Sequence, residues 1–419
     1  MMKYSWRELS KRALHAIALL LLLNLMFFLS MALVFAIPNN DVRTNVERSM
    51  FLLDREGEYP RIFSSSSHSM LDSATDTLMI ASALKGEDVG TFYAAMDMSD
   101  YARYWHGYQV ILRPVLRFFN YHEIRVIQGT SLLLLLTYLL CALAKKGWGG
   151  GVEIALAFTF SLCVTNFFIV PISLQYANMH FLMALASIIA LWAAERRWNT
   201  HRLCLVFLVI GAFAAFFDLL TTPLITLGMP LLLLLWQRAK KTDVMLRNEL
   251  AFITATSITW GFGYGFTFAF KWVLATLVTG KDIIADGMNQ LGFRMSGSGN
   301  SAFTISQVLM RNLRGILSLR LEETFFPLIC GCILATLILA ILLDRTALAR
   351  VPRVLPMLLV GAFPYAWYCL LRNHSRIHNW FTFRVQMITV MAVACSLLYI
   401  VDIHACMTTI KRMIQKQSK

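Results

Sequence analysis

Charge is what this chain has least of. Asp, Glu, Lys and Arg together make up 15% of its 419 residues, hydrophobic side chains make up 58%, and mean hydropathy is +0.60. That balance excludes an ordinary water-soluble domain. Cysteine is missing where it would matter most. All eight (Cys141, Cys163, Cys204, Cys330, Cys332, Cys369, Cys395 and Cys406) fall in or beside apolar runs. The long polar stretch 37–126 holds none, so no disulfide framework braces it even if that side is oxidising. The eight read as structural thiols. Strict apolar–polar alternation is also missing, which excludes a closed β-barrel. No internal repeat is visible, which counts against a transporter built from inverted repeats. The first apolar run, about Ala13 to Ile37, lacks a small-residue cleavage site and is too long for a signal peptide, so it reads as a retained helix.

What the chain does have is long apolar runs. Crossing the hydrocarbon core takes about 20 apolar residues. The runs give an all-α polytopic membrane protein, a single transmembrane domain over 1–419 with about ten spans. Their approximate cores are 13–37, 127–144, 152–171, 179–194, 203–219, 221–236, 250–279, 324–343, 354–372 and 380–402. The net charge of +14 suggests nucleic acid at first sight, but the distribution argues for orientation in a bilayer instead. Basic residues cluster at alternate span ends: Lys3, Arg7, Lys11 and Arg12; Lys145 and Lys146; Arg196, Arg197 and Arg202; Arg238, Lys240, Lys241 and Arg247; Arg345, Arg350 and Arg353; Lys411, Arg412, Lys416 and Lys419. The positive-inside rule makes those ends, and both termini, cytoplasmic. The stretches 37–126 and 280–322 and the turn 373–378 then lie outside, because polar chain of that length is too costly in hydrocarbon.

The first external stretch predicts two helices. One covers 73–84, with Asp72 at its N-cap. The other covers 101–120, where Trp105, Tyr108, Leu112, Val115 and Phe119 form an apolar stripe. His106, Gln109, Arg113 and Arg117 lie beside that stripe. Such a helix suits the membrane–water interface, with a kink at Pro114.

Two groups of residues carry chemistry. Asp72 and Asp76 share a helical face, and either carboxylate could take a proton from an acceptor hydroxyl; as a plain alternative, Asp72 caps the helix and Asp76 complements its first turn. Arg372, Asn373, His374, Ser375, Arg376 and His378, followed by Arg384, form the densest polar cluster of the apolar C-terminal third. Arginines beside imidazoles suit a phosphate or diphosphate. Two histidines without a certain third ligand leave a divalent metal open and no cofactor certain. Arg113 joins the candidates for phosphate binding, and Asp218, His106 and Arg294 are further polar candidates. Lys271, near the end of its span, reads as a snorkelling lysine.

Taken together, a first span leading into a long external loop with aspartates, then many spans, then a late basic external segment, resembles the GT-C class of integral-membrane glycosyltransferases. The runs Leu71-Asp-Ser-Ala-Thr-Asp76, Tyr104-Trp-His-Gly-Tyr108 and Asn373-His-Ser-Arg-Ile-His378 look like those of bacterial membrane proteins of this type. The resemblance implies a polyprenyl-phosphate-linked sugar donor and a glycan or lipid-linked acceptor. It implies an inverting transfer on the external face of a bacterial plasma membrane. A carboxylate would activate the acceptor hydroxyl while Arg372, His374, His378, Arg384 and Arg113 hold the leaving phosphate. In many members the acid follows directly on the first span. Here Asn39-Asn40-Asp41 stands there, so Asp72, Asp76 and Asp41 are the candidates, in that order. A lipid-linked glycan polymerase or ligase, or a transporter or flippase, are the alternatives.

Overall fold

The computed structural model describes residues 6–63, 67–86, 89–98, 101–148, 150–241, 245–296, 304–316, 322–344, 346–401, 408–409 and 411. The basic residues Lys3, Arg345, Arg412, Lys416 and Lys419, and the Gly-Ser stretch beyond Ser296, lie outside them. The elements are α1 (Trp6–Phe35), α2 (Asn39–Glu56), α3 (Ser73–Ala81), α4 (Thr91–Asp97), α5 (Gln109–Val115), α6 (Tyr121–Ala144), α7 (Val152–Val164), α8 (Leu174–Glu195), α9 (Thr200–Phe217), α10 (Ile225–Ala239), α11 (Leu246–Thr279), α12 (Ile283–Ser296), α13 (Ile305–Ile316), α14 (Glu322–Leu343), α15 (Ala347–Gly361), α16 (Phe363–Leu370), α17 (Arg372–Ile377), α18 (Asn379–Thr382) and α19 (Met387–Ile400). Short 3₁₀ turns cover Ser67–Ser69, Phe167–Ile172 and Phe383–Gln386.

This is a helical, multi-pass membrane protein. Seven helical segments among the described residues are long and apolar enough to cross a bilayer: Ser10–Phe35, Tyr121–Ala144, Leu174–Glu195, Thr200–Phe217, Leu246–Thr279, Ala347–Leu370 and Asn379–Ile400. The other three expected spans appear as shorter apolar helices, Val152–Val164, Ile225–Ala239 and Gly331–Leu342. The central α10 explains one of them. Every residue from Ile225 to Trp236 is buried, so α10 touches protein on all sides and has no lipid thickness to match. The peripheral α11 behaves in the opposite way. It buries Phe252, Thr256, Trp260, Gly263, Thr267, Lys271 and Ala275, a single stripe at spacings of three and four.

That stripe meets α9 through two glycines. A Cβ on Gly211 would sit 2.1 Å from the Trp260 carbonyl oxygen, and one on Gly263 would sit 2.1 Å from that of Leu208. The backbones approach this closely because neither residue has a side chain, the usual device for helix contact in lipid. Gly211→Leu should force the pair apart, an overpacking cost of about 1–3 kcal/mol or more. The check is the melting temperature and monodispersity of purified protein in detergent. Gly261→Ala, facing open space, should be neutral or slightly stabilising.

The two ends of the bundle differ in character. At one end the basic clusters are partly paired: Lys146 with Glu195 at 3.1 Å, Arg238 with Glu249 through two bonds of 2.6 and 2.8 Å, and Arg350 with Asp344. At the other end α1, α9, α11 and α16 finish and α6, α8, α10 and α18 begin. The three stretches read as external meet there: α12 and α13 pack on α17, and Ser67–Ser69 packs on α18.

Four local expectations need correction. Residues 101–108 are not helical; only Gln109–Val115 is. Tertiary bonds claim the backbone first: Gly107 donates to the Phe216 carbonyl at 2.8 Å, and the Trp272 indole donates to that of Arg103 at 2.9 Å. His106 is left-handed, φ 55°. Trp105 is buried, its indole bonded to the Thr267 carbonyl at 2.8 Å, so the segment plugs the bundle rather than lying at the interface. Lys271 does not snorkel: it is fully buried, its Nζ 2.9 Å from the Met96 carbonyl oxygen. The span at 152–171 breaks at Asn166, φ 54°, into a 3₁₀ turn. The loop also holds an unexpected helix, α2, whose Val42, Val46, Ser49 and Leu53 are buried.

Candidate functional site

Asp72 is the N-cap of α3, as its position ahead of Ser-Ala-Thr foretold. Its Oδ1 accepts the Thr75 N–H at 3.0 Å. The side chain is 4% exposed, and burial raises its pKa above the usual carboxylate range. Among the described residues its side chain bonds Thr75 alone, one turn into its own helix. Asp76, one turn on, is engaged far more heavily. Its Oδ2 accepts the Leu174 N–H at 3.1 Å and a short bond from the Tyr121 hydroxyl. Its Oδ1 accepts the Gln175 N–H at 3.0 Å and the Ser173 hydroxyl at 3.4 Å. Asp76 therefore fixes the start of α8 and the start of α6 to α3. Burial pushes its pKa up to about 6 against the pull of those bonds. Asp41 is exposed in the first turn of α2, paired with Arg117 at 3.0 Å.

Beside Asp72 runs a wall of aromatic and cationic groups. Tyr176, on α8, donates to the Met70 carbonyl at 3.0 Å, just ahead of Asp72 in the chain. The Arg384 guanidinium lies 4.4 Å from the Tyr176 ring centre. Arg384 also donates to the carbonyls of Trp380 at 3.1 Å and His68 at 3.4 Å. Tyr176 therefore touches both the backbone two residues before Asp72 and the buried guanidinium. Trp380 continues the wall, its ring 5.8 Å from Tyr59 and 5.2 Å from His378.

The turn expected at 373–378 is one helical turn, α17, and it brings the two imidazoles to 4.9 Å between ring centres. Arg294, from α12, donates to His374 Nδ1 at 2.7 Å and to His378 Nε2 at 3.0 Å. Arginine can only donate, so both tautomers follow. His374 carries its proton on Nε2 and gives it to the Leu220 carbonyl at 2.8 Å. His378 carries its proton on Nδ1, which is buried without a partner. Burial, then for His374 its neighbour His378, and Arg294 at both, hold the two pKa values well below the usual imidazole range, at about 4 for His378. The pair is therefore neutral at physiological pH, and the charge belongs to the arginines. Arg372, partly exposed at the start of α17, pairs with no described residue. The turn is braced from α12 and α13: Asn373 donates to the Phe293 carbonyl and Asn312 to that of Ser375, both at 2.9 Å. Asn373 is thus buried and engaged.

Two candidates lie apart from this wall. Arg113 is wholly buried. It donates to the Ile37 carbonyl at 2.6 Å and to Asn39 Oδ1 at 3.1 Å over the Phe35 ring, so it closes the end of α1. His106 accepts from the Tyr108 hydroxyl at 2.7 Å and donates to the Tyr101 carbonyl at 2.9 Å. Both its nitrogens are used, and burial lowers its pKa to about 3. Asp218 joins the cluster by its loop, since Leu220 meets His374. Among the described residues no group of three His, Cys, Asp or Glu could hold a metal ion.

Sequence reasoning did not single out Tyr176, Tyr59, Trp380 or His68. Tyr176 had a readable signal. It sits in Gln175-Tyr-Ala-Asn-Met-His180, a polar start to an otherwise apolar helix. The others carried none, because their value comes from partners far off in sequence.

No family model matches this chain, no curated protein matches it, and no solved structure does. The chemistry of the site rests on its own geometry.

Proposed function

We propose that this protein is an inverting glycosyltransferase of the bilayer. It moves a sugar from a polyprenyl-phosphate carrier to a glycan or lipid-linked acceptor at the polar end of the bundle. The observation that carries this reading is the run of contacts from Met70, two residues before Asp72, through Tyr176, Arg384, Trp380 and His378 to Arg294. One buried, weakly engaged carboxylate and several cations thus share one end of the bundle. A transporter should instead gather its polar groups around broken helices at mid-membrane.

In this reading Asp72 takes the proton of an acceptor hydroxyl as that oxygen attacks the anomeric carbon. The bond from that carbon to the donor phosphate breaks, and its electron pair stays on the phosphate oxygen. Arg372 and Arg294 meet the released charge, and the His378 Nδ1–H donates to it. Arg384 holds the 68–72 loop against α8. The chain crosses a bacterial plasma membrane about ten times, with its basic ends and termini cytoplasmic.

The test is transfer by purified protein in detergent, supplied with radiolabelled polyprenyl-phosphate sugars and a membrane glycolipid extract as acceptor. Label should appear in a product resistant to mild acid, with free polyprenyl phosphate released in equal amount. Arg372→Lys should slow that transfer by about ten-fold or more, because lysine cannot copy the two parallel bonds a guanidinium gives a phosphate. If every donor in the panel is returned intact, the glycosyltransferase reading falls.

A further inference from the structure

The loop between α9 and α10 is short, buried and poor in partners. Asp218, Thr221 and Thr222 are 2%, 3% and 1% exposed. Asp218 Oδ1 accepts the Thr221 N–H at 2.8 Å. Its Oδ2, and the hydroxyls of Thr221 and Thr222, are buried without a partner at good hydrogen-bonding geometry, although the Thr221 hydroxyl and the N–H groups of Leu219 and Leu220 lie near the carboxylate. The Tyr264 hydroxyl, on α11, is also buried without a partner, and its ring stacks on Trp260, which bonds Thr226 just beyond the loop. An unpaired buried polar group costs about 1–3 kcal/mol. Three on one loop and a fourth on α11, in a protein whose buried Asp76 is fully bonded, are hard to explain as packing alone. The loop is also held under strain: Leu220 is left-handed, φ 65°, a conformation that costs a side-chain-bearing residue about 1–2 kcal/mol. That twist delivers the Leu220 carbonyl to His374 and so ties the loop to the phosphate cluster.

The neighbouring surface of α11 is aromatic. Trp260 stacks on Tyr264 at 5.1 Å and 12°, and Phe268 lies 5.0 Å from Tyr264. The rings of Tyr264 and Phe268 are only partly buried. The Trp260 indole N–H is spent on Thr226 Oγ1 at 3.1 Å, which leaves ring faces rather than donors on that side.

We infer that Asp218, Thr221, Thr222 and Tyr264 form a sugar-reading subsite, in which they bond the hydroxyls of one pyranose ring while the α11 aromatics pack its apolar face. This rests on the glycosyltransfer reading for its role but not for its chemistry. A sugar offers adjacent hydroxyls, each both donor and acceptor, which suits a carboxylate oxygen next to two threonines and a phenol. A phosphate would be repelled by the carboxylate, and a bare lipid chain would leave all four groups unsatisfied. The link through Leu220 to His374 then sets the sugar beside the arginines that hold its phosphate.

The experiment is thermal stabilisation of the full chain, held in amine-oxide micelles and titrated with dodecyl glucoside, galactoside and mannoside. At least one glycoside should give a saturable rise in melting temperature. Asp218→Asn, which keeps the Oδ1 bond to Thr221, should weaken that response by about ten-fold or more, the loss of a charged hydrogen bond. Tyr264→Phe, which keeps the ring, should weaken it less. The same variants should bind sugar-free polyprenyl phosphate as the parent does. If no glycoside stabilises the protein, or if Asp218→Asn and Tyr264→Phe respond as the parent does, the subsite is refuted. If glycosides bind but no lipid-linked sugar is ever transferred, the subsite stands and only the glycosyltransfer reading fails.

Discussion

Asp72→Asn should reduce sugar transfer by about 10²–10⁴-fold, the usual loss when a general base is removed, in a protein that folds as before. Folding survives because the amide oxygen still accepts the Thr75 N–H, and asparagine caps helices as well as aspartate does. Donor binding should survive as well, since the phosphate groups sit on other elements. Asp72→Ala would add a stability loss of about 1 kcal/mol from the missing cap, so the asparagine variant separates chemistry from folding. The parent protein offers a second check through pH. The base works ionised, and burial raises its pKa. Activity should therefore fall as pH drops through a value above the ordinary aspartate range of about 4. A kcat/KM profile that stays level down to pH 4, or an Asp72→Asn enzyme with near-normal turnover, would remove Asp72 from the reaction.

Asp76→Ala should instead fail at folding. Two N–H groups at the start of α8, the Tyr121 hydroxyl and the Ser173 hydroxyl all lose their acceptor in a dry setting. At about 1–3 kcal/mol for each buried group left unpaired, the loss is large against a typical total of about 5–15 kcal/mol. Expression yield and the melting temperature in detergent should both fall sharply. Asp76→Asn should fall between the two, because its amide keeps one acceptor oxygen and turns its NH₂ toward donors. If Asp76→Ala melts like the parent yet transfers no sugar, the assignment of the two aspartates is reversed.

The contrast between these neighbours shows where sequence reading stops. Both belong to Leu71-Asp-Ser-Ala-Thr-Asp76, and their four-residue spacing makes them look equivalent. Asp72 was legible as a cap because capping is local: the donor it meets is three residues away. Asp76 was not legible as an anchor, because its partners lie 45 and nearly 100 residues further on. The same divide runs through the rest of the site. The polar density of 372–378 could be read directly. The neutral state of its histidines could not, because it depends on Arg294, 80 residues earlier, and on burial.

The sequence by itself determined that the chain is helical and enters the membrane repeatedly. These follow from how each segment partitions between water and hydrocarbon, a property of composition over about 20 residues. Helix α2 was not read from the sequence: its buried stripe of Val42, Val46 and Leu53 is short. Tertiary structure alone decided that Trp105 and Gly107 plug the bundle, that α10 is short because it is central, that Arg113 closes α1 rather than joining the arginine wall, and that Leu220 is twisted to face His374. In each case the deciding contact joins segments far apart in the chain, which no local pattern encodes.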